Sequence, residues 1–197
     1  IHNVVETLII AIILVILIVY LFLQDFKATL IPSVSIIVSL VGTFAFVWAL
    51  GYSLNLITLF ALVLAIGTVV DDAIVVVEAV MTKMETGKYT AAAATTEALH
   101  EVTAAAISTT LVFVAVFIPV TFMGGTQGTF FKQFGFIMSG SVCLSTLSAL
   151  TICPALCALM FKPKKEGEKE RKNVSYYVKQ AYDVAFNAIL GKYMKGV

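Results

Sequence analysis

Gly67-Thr68-Val69-Val70-Asp71-Asp72-Ala73-Ile74-Val75-Val76-Val77-Glu78 sets two adjacent acids inside an apolar run that extends from Leu54 to Val80. A run of that length crosses a hydrocarbon core of about 30 Å, which takes about 20 helical residues. Backbone groups cannot stay unpaired in lipid, so the run reads as a helix. Even permissive insertion scales charge about 2.5–3.5 kcal/mol for one Asp at mid-membrane, so a pair there requires a purpose or a partner. Neighbouring helix positions differ by about 100°, and Asp71 and Asp72 therefore straddle a helix-helix seam. Burial and mutual repulsion both disfavour the doubly ionised pair, which leaves a proton to be taken up and released. Gly67, one turn before Asp71, is small enough to admit close approach of another helix. Glu78 shares the face of Asp71 but lies nearer the end of the run, and reads as an interfacial acid.

The rest of the chain repeats the apolar pattern. Of its 197 residues 60% are hydrophobic and 13% charged, against roughly 45–50% and about 25% in soluble domains. No Asp, Glu, Lys or Arg occurs over residues 7–24, 28–70 or 102–131, so those stretches cannot supply the charged outer face of a water-soluble fold. Five spans result, Thr7 to Leu23, Ala28 to Leu50, Leu54 to Val80, Val102 to Met123 and Phe134 to Phe161. The fold class is an all-α, polytopic transmembrane bundle of five spanning helices within residues 1–161. Short connections at Gln24-Asp25-Phe26-Lys27 and Gly51-Tyr52-Ser53 make the first three spans antiparallel neighbours.

Lysine placement sets the orientation. One set of loops holds Lys27, Lys83, Lys88, Lys162, Lys164, Lys165, Lys169, Arg171 and Lys172, the other only Lys132, so the first set is expected in the cytoplasm. Trp48 and Tyr52 then fall at the outer interface. Residues 162–173 form a charged cytoplasmic linker, and residues 174–197 read as an amphipathic helix along the membrane surface, with Val174, Tyr177, Val178, Ala181, Tyr182, Ala185 and Phe186 at three- and four-residue spacing. The chain opens on Ile1 and reads as an excerpt of a longer protein.

Other chemistries fail on inspection. Gly124-Gly125-Thr126-Gln127-Gly128 lacks the following Gly-Lys-Ser/Thr of a nucleotide-binding loop. His2 and His100 belong to different spans without ligand-like neighbours, and Cys143, Cys153 and Cys157 lack metal spacing. No metal, cofactor or nucleic-acid partner is expected; membrane lipid is. Ser139, Ser141, Ser145, Ser148 and Thr151 read as small helix-packing residues.

Several segments together resemble the resistance-nodulation-division transporters, in their hydrophobic and amphiphilic drug efflux branch. They are Tyr20-Leu21-Phe22-Leu23-Gln24-Asp25-Phe26, Ala28-Thr29-Leu30-Ile31-Pro32, the stretch from Gly67 to Glu78, Pro119 before Gly124-Gly125, and Pro154-Ala155-Leu156-Cys157 with Lys162-Pro163. The resemblance covers nearly the whole chain, as the second to sixth membrane helices and the surface helix of one subunit. It implies that Asp71 and Asp72 are the fourth-helix proton-relay pair, with a Lys and a hydroxyl residue on later helices as partners. It further implies an inner-membrane homotrimer, protons as coupling ion, a periplasmic adaptor, an outer-membrane channel, and small-molecule substrates bound mainly outside this segment. The heavy-metal branch has a small residue where this chain has Asp72, so drug-like cargo is favoured. Ala79 stands where the family usually has Asn, and Ile10 where several drug pumps carry an acid; no function passes to the helix of Ile10. The leading reading is proton/substrate antiport by a secondary active transporter, not an enzyme. The alternatives are a non-transporting scaffold or sensor of the same fold, and a relative exporting metal ions, lipids or proteins.

Overall fold

In a computed structural model of the chain, residues 2–53 and 55–161 are described, and among them the structure is helices and short turns only. The order is α1 (His2–Leu23), α2 (Phe26–Ala49), α3 (Leu56–Glu85), α4 (Ala91–Val120) and α5 (Thr126–Met160). The starts of α2, α3 and α4 are set by polar caps. The Asp25 carboxylate accepts from the N–H groups of Lys27 and Ala28 at 2.7 and 3.2 Å, the Asn55 side chain from Ile57 and Thr58 at 3.0 and 2.9 Å, and the Thr90 hydroxyl from Ala93 at 3.4 Å. Each bond satisfies a donor that the helix start would otherwise leave unpaired in or near lipid. The turn into α2 uses a left-handed Gln24, with φ 51°.

Some helices outrun the expected spans. The fourth begins at Ala91 rather than Val102, the fifth at Thr126 rather than Phe134, and the third runs past Val80 to Glu85. The expected bounds follow the edge of the uncharged stretches. Helical hydrogen bonding continues beyond that edge wherever the residues suit it, as Ala91 to Ala94 do behind the Thr90 cap. The charged linker and the amphipathic helix expected over residues 162–197 lie outside the described residues.

Four of the helices, α2 to α5, are long and apolar enough to cross a membrane, and α1 contributes the shorter apolar stretch Ile9–Leu23. The chain is a multi-pass membrane protein. Its outward faces carry what a soluble protein hides: Leu17, Leu111, Val112 and Val116 are all more than half exposed, and Trp48 is 83% exposed.

Helix α3 is the axis of the bundle and packs on the other four. Toward its start Ala61 and Ala65 meet Val47 of α2 and Ile137 and Met138 of α5. Midway Ile66, Val69 and Val70 meet Val19 of α1 and Ile36 of α2. Toward its end Ala73, Val76, Val77 and Val80 meet Ala28 and Ile31 of α2, Ala94 and Ala98 of α4, and Ala149, Cys153 and Cys157 of α5. The two last cysteines are free and buried in this apolar cluster, one turn apart. In lipid such contacts hold helices together by close packing, since the tails are as apolar as the side chains.

A polar clasp closes one end of α3 on α5. The Gln133 amide donates to the Thr58 hydroxyl at 2.6 Å and to the Ser53 carbonyl at 3.2 Å, and its carbonyl oxygen accepts from the Asn55 amide at 3.2 Å. At the other end of α3 the Lys83 ammonium pairs with Glu101 of α4. The pair of acids lies between these two fixed points.

Candidate proton site

Because side chains one residue apart diverge by about 100°, α3 cannot offer both acids to the same neighbour. The structure separates them. Asp72 is half-buried against α5, while Asp71 is exposed. The Asp72 carboxylate oxygen Oδ2 accepts two hydrogen bonds from α5, from the Thr146 hydroxyl at 2.7 Å and from the Ser145 hydroxyl at 3.1 Å. The Thr146 oxygen in turn lies 2.5 Å from the Thr110 hydroxyl of α4. Three helices thus meet at one carboxyl group. A carboxylate in lipid needs such donors, because an unsatisfied charge there costs several kcal/mol.

Asp71 points the other way. It shares an exposed strip of α3 with Phe60, Leu64, Gly67, Val75 and Glu78. No hydrogen bond or ion pair reaches Asp71 from the described residues, and the ion pair found among them is Lys83 with Glu101. Neither acid therefore has a described cation beside it, and the described residues bring no three His, Cys, Asp or Glu side chains together as a metal site would.

Gly67 lies on the same open strip. A Cβ at Gly67 would meet no described atom within 4 Å, so close approach at this glycine is made by no described helix. Close approach occurs instead on α5. At Gly135 a Cβ would stand 2.9 Å from the Phe117 carbonyl oxygen and 2.8 Å from the Thr121 methyl group, and at Gly140 it would overlap the Phe46 ring. Glu78 is exposed toward the end of α3.

The residues that sequence reasoning misses are hydroxyls. Ser145 reads there as packing, and nothing singles out Thr146 or Thr110. Ser141, Ser145 and Ser148 sit at four- and three-residue spacing and are all buried, which makes one polar face of α5. That face, followed by Thr146, is the available signal. It is ambiguous, because small polar residues also serve plain helix packing.

The model of the AcrB/AcrD/AcrF family matches residues 1–197. The chain belongs to this family. It is 46% identical to the multidrug export protein AcrF of Escherichia coli over 172 residues, which cover 87% of this chain and 17% of that protein. It is 45% identical to the toluene efflux pump membrane transporter TtgB of Pseudomonas putida over 168 residues, 85% of this chain and 16% of the relative. The multidrug resistance protein MdtF of Escherichia coli is 43% identical over 167 residues, again 85% and 16%. The chain therefore spans about a sixth of the length of these relatives. Membership of the AcrB/AcrD/AcrF family agrees with the resemblance carried by the Gly67 to Glu78 stretch and its flanking segments.

Proposed function

We propose that this chain is the proton-handling membrane block of an inner-membrane drug efflux transporter, in which inward proton flow drives outward movement of drug-like or amphiphilic compounds. The observation that carries the reading is the divided acid pair. One carboxyl, Asp72, is held by α5 hydroxyls inside a spanning helix, and its neighbour Asp71 stands open with no described cation beside it. Such groups are functional by default in a membrane helix, and proton relay is among their recurrent uses. The names of the relatives, which include multidrug export and toluene efflux, support export as the task of the whole protein. In this reading the open strip around Asp71 and Gly67 takes helices from elsewhere in the protein. The whole assembly is a homotrimer with an adaptor and an outer-membrane channel, and protons are the coupling ion.

Efflux by the full-length protein in everted inner-membrane vesicles tests this. Dye accumulation is expected on energisation and should collapse when a protonophore removes the gradient. Accumulation that survives the protonophore would remove proton coupling. Moving one charge through the potential is worth about 2.3 kcal/mol per 100 mV, enough to bias a helix rearrangement several-fold or more.

Orientation supplies a second test. Lys83 and Lys88 lie at or just after the end of α3, and Gly125 precedes α5. The lysine asymmetry predicts position 88 in the cytoplasm and position 125 in the periplasm. Single cysteines at these sites in an otherwise cysteine-free protein should be labelled by an impermeant maleimide from outside at 125 only. Labelling at 88 that spares 125 would invert the topology.

A further inference from the structure

The hydroxyls around Asp72 have more acceptors than protons. Ser145 reaches both the Asp72 carboxylate and the Val69 carbonyl, each at 3.1 Å. Thr146 reaches the carboxylate at 2.7 Å and its own helix at the Val142 carbonyl at 3.1 Å. Thr110 reaches the Thr146 oxygen at 2.5 Å and its own helix at the Ala106 carbonyl at 2.8 Å. A hydroxyl has one proton to donate and two lone pairs to accept with, and it turns freely about its C–O bond. Each of the three can therefore donate toward Asp72 or away from it while every heavy atom stays in place.

We infer that Ser145, Thr146 and Thr110 form a reversible hydroxyl chain that serves both protonation states of Asp72, with Thr146 as its pivot. With Asp72 ionised, Thr110 donates to Thr146, and Thr146 and Ser145 both donate to the carboxylate. When Asp72 takes up a proton, its O–H donates to the Thr146 oxygen. Thr146 then turns its proton to the Val142 carbonyl, Ser145 to Val69 and Thr110 to Ala106. No covalent bond forms or breaks beyond protonation of the carboxyl itself, and each hydroxyl keeps its proton. Both states leave every hydroxyl proton of the chain with an acceptor, which a low-dielectric site demands. The link between α4 and α5 through Thr110 and Thr146 is made by donation in the ionised state and weakens on protonation.

The charged surroundings do not duplicate this role. On the helices packed against α3, the charged residues are Glu6 of α1, Lys27 of α2, Glu97 and Glu101 of α4 and Lys132 of α5, with His100 beside Glu101, and no described hydrogen bond or ion pair joins any of them to Asp72. The neighbouring acid on α3 itself is Asp71, one residue away and exposed. The hydroxyls are positioning residues that act through Asp72.

The inference rests on Asp72 exchanging protons, and the experiment separates the two. In the full-length protein, Thr146→Val keeps the shape and removes the hydroxyl, Thr146→Ser keeps the hydroxyl, and Thr110→Val removes the second link. Losing a hydrogen bond to a charged group corresponds to about a tenfold change. Proton-driven dye efflux should fall by about tenfold in Thr146→Val, return in Thr146→Ser, and fall less in Thr110→Val. The infrared C=O band of protonated Asp72, identified by its disappearance in Asp72→Asn, should move to higher wavenumber in Thr146→Val and return in Thr146→Ser. Should Thr146→Val fail to assemble, Thr110→Val carries the test through the pH profile of efflux, because Thr110 donates toward Asp72 only in the ionised state. Efflux in Asp72→Asn at normal expression would overturn the relay reading itself. An inactive Asp72→Asn beside a Thr146→Val variant whose band, and a Thr110→Val variant whose pH profile, match the unmodified protein would overturn the hydroxyl chain alone.

Discussion

Efflux is expected to fall to the level of a non-expressing strain when either Asp71 or Asp72 is replaced by Asn in the full-length protein, with expression and membrane insertion unchanged. The amide is nearly the size of the acid, and its oxygen can still accept from Thr146 and Ser145, which hold Asp72 at 2.7 and 3.1 Å. What is lost is titration, so packing and chemistry are separated. Removing a charge from a membrane helix also lessens the cost of inserting it. Asp71 is the stricter case. It touches no described partner, so a purely structural role among these helices gives its amide nothing to disturb. Dye extrusion measured beside expression level and thermal unfolding decides the matter. Normal extrusion by either variant at normal expression would end the relay hypothesis for that residue.

The second large effect is expected at a residue with no chemistry. Gly135→Val places a branched side chain where even a Cβ would stand 2.9 Å from the Phe117 carbonyl oxygen of α4. A side chain can turn away from such a collision, but a backbone carbonyl cannot, and α4 and α5 must part at this end. Overpacking of this kind costs about 1–3 kcal/mol, and more where the backbone must move. The same separation strains the neighbourhood of Phe134, whose ring packs edge-on to Phe117 with centroids 5.9 Å apart. We expect a lower unfolding temperature of the detergent-solubilised protein and reduced assembly. Equal stability of Gly135→Val and the unmodified protein would show that α4 and α5 do not approach as described.

These two expectations mark where sequence was sufficient and where it was not. The helical class, the number of long apolar elements and the position of the acid pair follow from residues 54–80 and the uncharged stretches around them, because hydrocarbon leaves a chain no choice but to satisfy its backbone internally. Adjacent acids on a 3.6-residue helix must diverge, so their facing different directions was also legible. Helix ends were less so. Charge marks where lipid stops, whereas caps such as Thr90 and Asn55 mark where the helix starts, and the two differ by several turns for α4.

Which acid faces which neighbour was decided only by tertiary structure. Nothing in Asp71-Asp72 says that the second meets α5 and the first an open strip, since that depends on how α3 is rotated within the bundle. The same rotation turns Gly67 outward and leaves the close glycine contacts to Gly135 and Gly140 of α5. Thr110 and Thr146 are 36 residues apart, and Ser145 and Thr146 stand 73 and 74 residues from Asp72. A hydroxyl in a spanning helix reads the same in sequence whether it bonds its own backbone or a distant carboxylate. Sequence by itself determined that this is a bundle of membrane helices with a costly acid pair inside one of them, because lipid solvation acts on each segment locally. The tertiary structure alone decided the partners of Asp72 and the open side of Asp71, because these follow from packing between helices, which no local pattern encodes.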